Sequence, residues 1–98
     1  MEYRISLKAQ EDLISIWEFT FENWSVEQAD RYYELIIDKI KQLCQKPDIG
    51  KKYDVVREGY WGVHVKSHII FYRIREQETI EIIRVLHNRM DVENRLSE

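Results

Sequence analysis

The sequence predicts an α+β domain in which a helical hairpin packs on a mainly antiparallel sheet, in the order β-α-α-β-β-β. Three observations carry this. Residues 7–46 hold two successive stretches whose apolar residues recur at helical spacing. Residues 60–87 are dense in β-branched and aromatic side chains. The one proline, Pro47, and all three glycines, Gly50, Gly59 and Gly62, fall within residues 47–62 and mark the junction between the helical and strand halves.

The elements follow in order. In residues 1–5, Tyr3 and Ile5 alternate with Glu2 and Arg4, as in a short half-buried strand. Ser6 is placed to cap the helix that follows, since its hydroxyl can accept from a free N–H of the first turn. Ala9, Leu13, Ile16, Trp17 and Thr20 form that helix's inward stripe. The helix ends near Trp24, and Ser25-Val26-Glu27-Gln28 fits a capping box for a second one. There the inward stripe is Ala29, Tyr33, Ile36, Ile40 and Leu43, widened by Tyr32, Ile37 and Cys44. Pro47 stops it, and so short a connection makes the two helices antiparallel. Residues 51–59 read as a loop with one short strand. Three strands then form a meander at residues 60–66, 69–75 and 79–87, with turns at Ser67-His68 and Glu76-Gln77-Glu78. Residues 88–98 read as a tail, and residues 1–98 as a single domain.

Composition narrows the function classes. The net charge is −3: residues 1–50 carry six Lys/Arg against ten Asp/Glu, residues 51–98 nine against eight. Without a strong basic excess, direct sequence-specific DNA binding is not expected. One cysteine allows no internal disulfide and suits a reducing compartment. No apolar run approaches the ~18–20 residues that cross a membrane, and the N-terminus lacks a signal-peptide core, so a cytoplasmic protein with no membrane contact is expected.

The meander strands do not alternate simply. Ile70, Tyr72 and Ile74 mark one face and Ile69 and Phe71 the other; Ile80, Ile82 and Leu86 mark one face and Ile83 and Val85 the other. Both faces are therefore partly apolar, as in a sheet covered on both sides. One hairpin covers one face. Either a protein partner covers the second, or residues 51–59 and the tail fold over it.

Candidate chemistry is sparse. His64, His68 and His87 lack further ligands at metal-binding spacing, so no metal is expected. Cys44 lies on an apolar helix flank, where a thiol acts as a small hydrophobe. One constellation has the right residue types for RNA cleavage, which needs a general base, a general acid and cations on the phosphate. It comprises His87 with Arg73, Arg84 or Arg89. The plainer reading of the same corner is a structural pairing of Arg with Asp at a strand end.

The element order, together with Ser67-His68-Ile69-Ile70-Phe71-Tyr72-Arg73 and Ile83-Arg84-Val85-Leu86-His87-Asn88-Arg89-Met90-Asp91, resembles the ParE branch of the RelE/ParE toxin superfamily. Leu13 with Ile16-Trp17, Trp24-Ser25-Val26-Glu27-Gln28-Ala29, Pro47-Asp48-Ile49-Gly50-Lys51 and Arg57-Glu58-Gly59-Tyr60 extend the resemblance over nearly the whole chain. Leu7 departs from it, where many relatives open the helix with proline. The resemblance implies a toxin of a bacterial type II toxin–antitoxin module that inhibits DNA gyrase by protein–protein contact and has no catalytic residue or cofactor. It also implies a cognate, ParD-like antitoxin that lays a helix by the hairpin, with Trp17, Phe21 and Tyr33 as contacts. The expected target surface is His87, Arg89, Met90 and Asp91. The alternatives are a RelE-like ribosome-dependent mRNA endoribonuclease and an inactive relative that only binds antitoxin. The −3 charge and the absence of any tyrosine after Tyr72 weigh against the ribosomal branch.

Overall fold

A computed structural model describes residues 1–76 and 78–96. The order is β1 (Glu2–Ile5), α1 (Leu7–Asn23), α2 (Val26–Gln45), β2 (Lys51–Lys52), β3 (Trp61–Val65), β4 (His68–Arg75), β5 (Thr79–His87) and α3 (Val92–Leu96). The five strands form one sheet in the order β1-β5-β4-β3-β2. All pairings are antiparallel except β1 with β5, which is parallel, so the first strand sits beside the last.

Both helix caps form as the sequence predicts. Ser6 Oγ accepts from the Ala9 N–H at 3.0 Å, and Ser25 Oγ from the Gln28 N–H at 3.1 Å. Ala9, Leu13, Ile36, Ile40 and Leu43 pack on Val65, Ile70, Tyr72, Ile80, Ile82 and Val85 to make the main core. Tyr33, expected inside, faces outward, and Tyr32 turns toward the sheet instead. The helical angle between neighbours is about 100°, so one of two adjacent tyrosines must leave the buried stripe. Tyr3 is likewise more exposed than its alternation implies, because β1 is an edge strand.

The second face of the sheet is apolar, and the chain covers it itself. Tyr60, Ile69, Phe71 and Leu86 form a second cluster with Leu96, and Tyr53, Val56, Ile83 and Val92 pack around it. The 51–59 loop reaches this face because Gly62 has no side chain. A Cβ there would meet the Tyr53 ring at 2.6 Å. That ring instead stands edge-on to Phe71, with centroids 5.2 Å apart. The stretch read as a tail contributes α3, whose Leu96 is buried. Of the two covers considered for this face, the loop and the C-terminal segment supply it.

The sequence-based faces fail at one place in β5. Phe71 pairs with Arg84, yet Tyr72 pairs with Ile82, so Ile83 is an extra residue opposite no partner. This β-bulge shifts the alternation by one residue. Val85 therefore joins Ile80 and Ile82 under the helices, and Leu86 faces the other way with Ile83. The first turn also differs by one residue: Lys66-Ser67 makes it, with Lys66 at φ 53°, and His68 begins β4. The second turn includes Gln77, which lies outside the described residues, as do positions 97 and 98.

Candidate protein-binding and nuclease-like sites

Arg84, Asp12 and the bulge belong to one structure. Arg84 Nε and Nη2 donate to the two Asp12 oxygens at 2.8 and 2.9 Å, a bidentate ion pair. Asp12 also accepts the Val85 N–H at 3.0 Å, while Ser6 donates from its hydroxyl to the Ile83 carbonyl and from its N–H to the Ile82 carbonyl. A bulge releases backbone groups from the ladder, and these bonds recover them. Arg84 Nη1 donates in turn to the Arg95 carbonyl at 3.2 Å, tying α1 to β5 and α3. Arg84 is thus buried and engaged as a brace. Sequence reasoning overlooked Asp12. Its one local signal was a carboxylate beside the apolar stripe, next to Leu13.

Of the other nuclease-like candidates, Arg73 lies apart, over the Tyr60 ring at 6.0 Å on the second face. His87 is directly opposite His68 across β4 and β5, with ring centroids 5.2 Å apart. Its Nδ1 accepts the Arg89 N–H at 3.1 Å, so the neutral ring carries its proton on Nε2. The His68 Nδ1 meets the Tyr32 hydroxyl at 2.6 Å, and that hydroxyl also donates to the Val65 carbonyl. Burial lowers the His68 pKa to about 4, helped by the neighbouring His87 and opposed by Asp12. Burial also raises that of Tyr32, against an opposing hydrogen bond at the Ser67 backbone. At neutral pH His68 is therefore an uncharged link between α2 and β4. With Phe19, Trp24 and His87, these residues surround a recess of about 310 Å³ at the hairpin tip. In the sequence His68 falls at a turn and, with His64 and His87, lacks metal-ligand partners, so nothing local points to this contact.

The corner that follows β5 is compact. The Met90 N–H bonds the His87 carbonyl, and the Asn88 N–H the Ser67 carbonyl. Asp91 is exposed and caps α3, its carboxylate accepting from the Asn94 backbone and side chain. Arg89 and Met90 face solvent.

The hairpin's outer side carries the large apolar surface. Trp17 stacks on Phe21 with centroids 5.4 Å apart, and its indole N–H donates to Asp30 at 2.9 Å. Trp17 and Tyr33 share a groove with Ile14, Leu13 and Asp30. The three residues expected to contact a partner are therefore neighbours on one surface. Ile14, Phe19, Phe21 and Trp24 are 59, 62, 45 and 67 % exposed, an unusual concentration of solvated large side chains on one element pair. Among the described residues no group of three or more His, Cys, Asp or Glu could hold a metal ion, and no helix is long and apolar enough to cross a membrane.

The family model for the ParE toxin of the type II toxin–antitoxin system parDE matches residues 3–92. The chain belongs to the ParE toxin family. It is 39 % identical over 94 residues to Toxin ParE1 of Mycobacterium tuberculosis, covering 96 % of each chain. It is 37 % identical over 89 residues to Toxin ParE1 of Caulobacter vibrioides, covering 91 % of each. The fold resembles a chain of the chromosomal ParDE system from P. aeruginosa with a TM-score of 0.77 at 20 % identity, covering 89 % of this chain and 95 % of that one. It also resembles a chain of the RelBE2 toxin–antitoxin complex from M. tuberculosis, with a TM-score of 0.66 at 22 % identity and coverage of 89 and 96 %. Those two likenesses concern fold alone. As a ParE-family member the chain is a type II toxin, and its helices-on-sheet architecture is that of the RelE/ParE group.

Proposed function

We propose that this toxin acts in the cytoplasm by binding DNA gyrase, without catalysing a reaction, and that a cognate antitoxin neutralises it by laying an amphipathic helix along the Ile14, Trp17 and Tyr33 groove. The observation that carries the reading is the contrast in apolar cover. The apolar part of the sheet's second face is sealed by the chain's own Tyr53 and Leu96, whereas the hairpin leaves its aromatic groove open. A helix with apolar residues at i, i+3 or i+4 and i+7 fits such a groove. Asp30 lines it, and Glu34 and Asp38 lie with Lys41 around the adjoining recess beyond Tyr33, so that helix is expected to carry Lys or Arg toward Asp30.

The non-enzymatic part is supported by the engagement of Arg73 and Arg84 away from His87, which leaves Arg89 as its one arginine neighbour from that set. Arg84 is occupied by Asp12, Arg73 lies over Tyr60, and His87 faces His68. General acid–base cleavage needs such groups within hydrogen-bond reach of one phosphate. The surface proposed to meet the target is the solvent-facing corner of His87, Arg89 and Met90, with Asp91 holding its shape.

The test is supercoiling of relaxed plasmid by gyrase with increasing amounts of purified toxin. Inhibition that Arg89→Glu with Met90→Ala removes, while antitoxin binding persists, supports the reading. Unimpaired supercoiling together with mRNA cleavage in a translation extract, lost in His87→Ala, would replace it with ribonuclease activity. Antitoxin binding with neither activity would identify an inactive relative.

A further inference from the structure

Four cations surround one recess of about 330 Å³ where α1, the 51–59 loop, β5 and α3 meet. They are Lys8 of α1, Arg57 of the loop, Arg84 of β5 and Arg95 of α3. Among the described residues no carboxylate lines it. The chain as a whole carries a net charge of −3, so this concentration runs against its balance. Like charges held around one cleft repel, and an anion placed among them relieves the repulsion. Arg84 is already answered by Asp12, which does not line the recess. Lys8, Arg57 and Arg95 are exposed and make no ion pair among the described residues. Two of the three are held in position all the same. Arg57 lies over the Tyr60 ring at 5.9 Å, and the main chain of Arg95 is fixed by the Arg84 guanidinium, 3.2 Å from its carbonyl. The start of α1 is not the binding element, since the Ala9 N–H is capped by Ser6.

We propose that this recess binds a small phosphate-bearing molecule through a diphosphate group. A carboxylate offers one charge and two oxygens in a single plane. The three unpaired cations come from three separate elements, and a diphosphate carries several charges with oxygens on every side, so it meets all three at once. Guanidinium forks take phosphate oxygens in pairs, and Lys8 adds a point charge. Groups already held in position lose little freedom when the ligand arrives. A polynucleotide fits less well, because its backbone runs beyond the recess onto a chain of net charge −3. The bound ligand ties α1 to the loop and to α3, the two pieces that seal the apolar part of the sheet's second face. Binding therefore stabilises that cover. The site is separate from the hairpin groove and does not depend on which enzyme the toxin inhibits.

The experiment is NMR titration of the whole protein with sodium pyrophosphate at constant ionic strength. The expected result is saturable amide shifts concentrated in residues 6–8, 57–60, 83–84 and 95–96, with a melting temperature that rises with pyrophosphate concentration. Lys8→Gln with Arg57→Gln should weaken binding at least about tenfold, the scale of losing two charge-assisted contacts. If that double variant fails to fold, Arg95→Gln alone should weaken binding about threefold. Arg31→Gln, exposed on α2 and outside the recess, should leave the affinity unchanged. A parallel titration with ATP separates the sources of the diphosphate. Affinity equal to that of pyrophosphate makes the phosphate chain the whole ligand, and affinity higher by about tenfold makes it a nucleotide. Equal shifts from sodium acetate at the same ionic strength, shifts scattered over the other basic residues, unchanged affinity in the Lys8, Arg57 and Arg95 variants, or an oligonucleotide that binds more tightly than ATP would each overturn the proposal.

Discussion

The two sides of this molecule solve the same covering problem differently. The helical hairpin buries one stripe under continuous packing and leaves its outer aromatics, Trp17, Phe21 and Tyr33, in or near solvent. The sheet's other face has no helical hairpin over it, yet its apolar half is closed by a loop ring, a five-residue helix and one bidentate ion pair. Cover by small pieces needs specific anchors, whereas cover by long helices needs only area. Solvated apolar residues therefore concentrate on the hairpin and not on the sheet, although sequence pattern makes the sheet look the more exposed.

This contrast can be broken at its anchor first. Asp12→Ala removes the partner of a buried guanidinium and leaves the Val85 N–H unpaired, and it should cost about 3–5 kcal/mol in urea unfolding. A loss below about 1 kcal/mol would mean the second face holds without its clamp. Leu96→Ala comes next, at about 2–3 kcal/mol. Its distinguishing sign is faster hydrogen exchange in residues 53–60 and 87–96 with the hairpin amides unchanged. Equal acceleration throughout would show that the two faces are one cooperative unit.

A smaller effect joins the hairpin to the sheet. His68 has its pKa lowered to about 4 in the folded protein, against the ordinary 6.5. Between these values the unfolded chain binds the extra proton. Stability is therefore full above about pH 6.5 and declines as pH falls toward 4. The change is on the order of 1–2 kcal/mol, less than the whole shift because the ring retains some water contact. His68→Gln should flatten that part of the stability profile. The smallest effect on folding sharpens the contrast most. Tyr33→Ala should change stability by no more than about 0.5 kcal/mol yet weaken antitoxin binding by about 2 kcal/mol, near thirtyfold. Matched losses in both measurements would make Tyr33 a packing residue and remove it from the interface.

Most elements were legible in the sequence because each rests on a local pattern. The Ser6 and Ser25 caps, the Pro47 stop and the strand ending at His87 all depend on residues a few positions apart. The exposed residues were harder to read. Tyr32 and Tyr33 are adjacent and chemically alike, and only the position of the sheet decides which one turns inward. The binding candidates Trp17, Phe21 and Tyr33 do prove to be neighbours, whereas in the nuclease-like set Arg73 and Arg84 are engaged elsewhere and only Arg89 stays beside His87.

By itself, then, the sequence determined the kinds and order of the main elements, the antiparallel hairpin and the family-bearing phrases of β4 and β5. Tertiary structure decided where β1 joins, that Ile83 bulges, that Val85 and Leu86 exchange faces, and that Arg84 is a brace. The physical reason is distance along the chain. Periodicity reports neighbours a few residues apart, but the bulge is stabilised by Ser6 and Asp12, more than seventy residues before the groups they bind. No pattern within β5 could contain that information, because the groups that satisfy its released backbone arrive from the start of the chain.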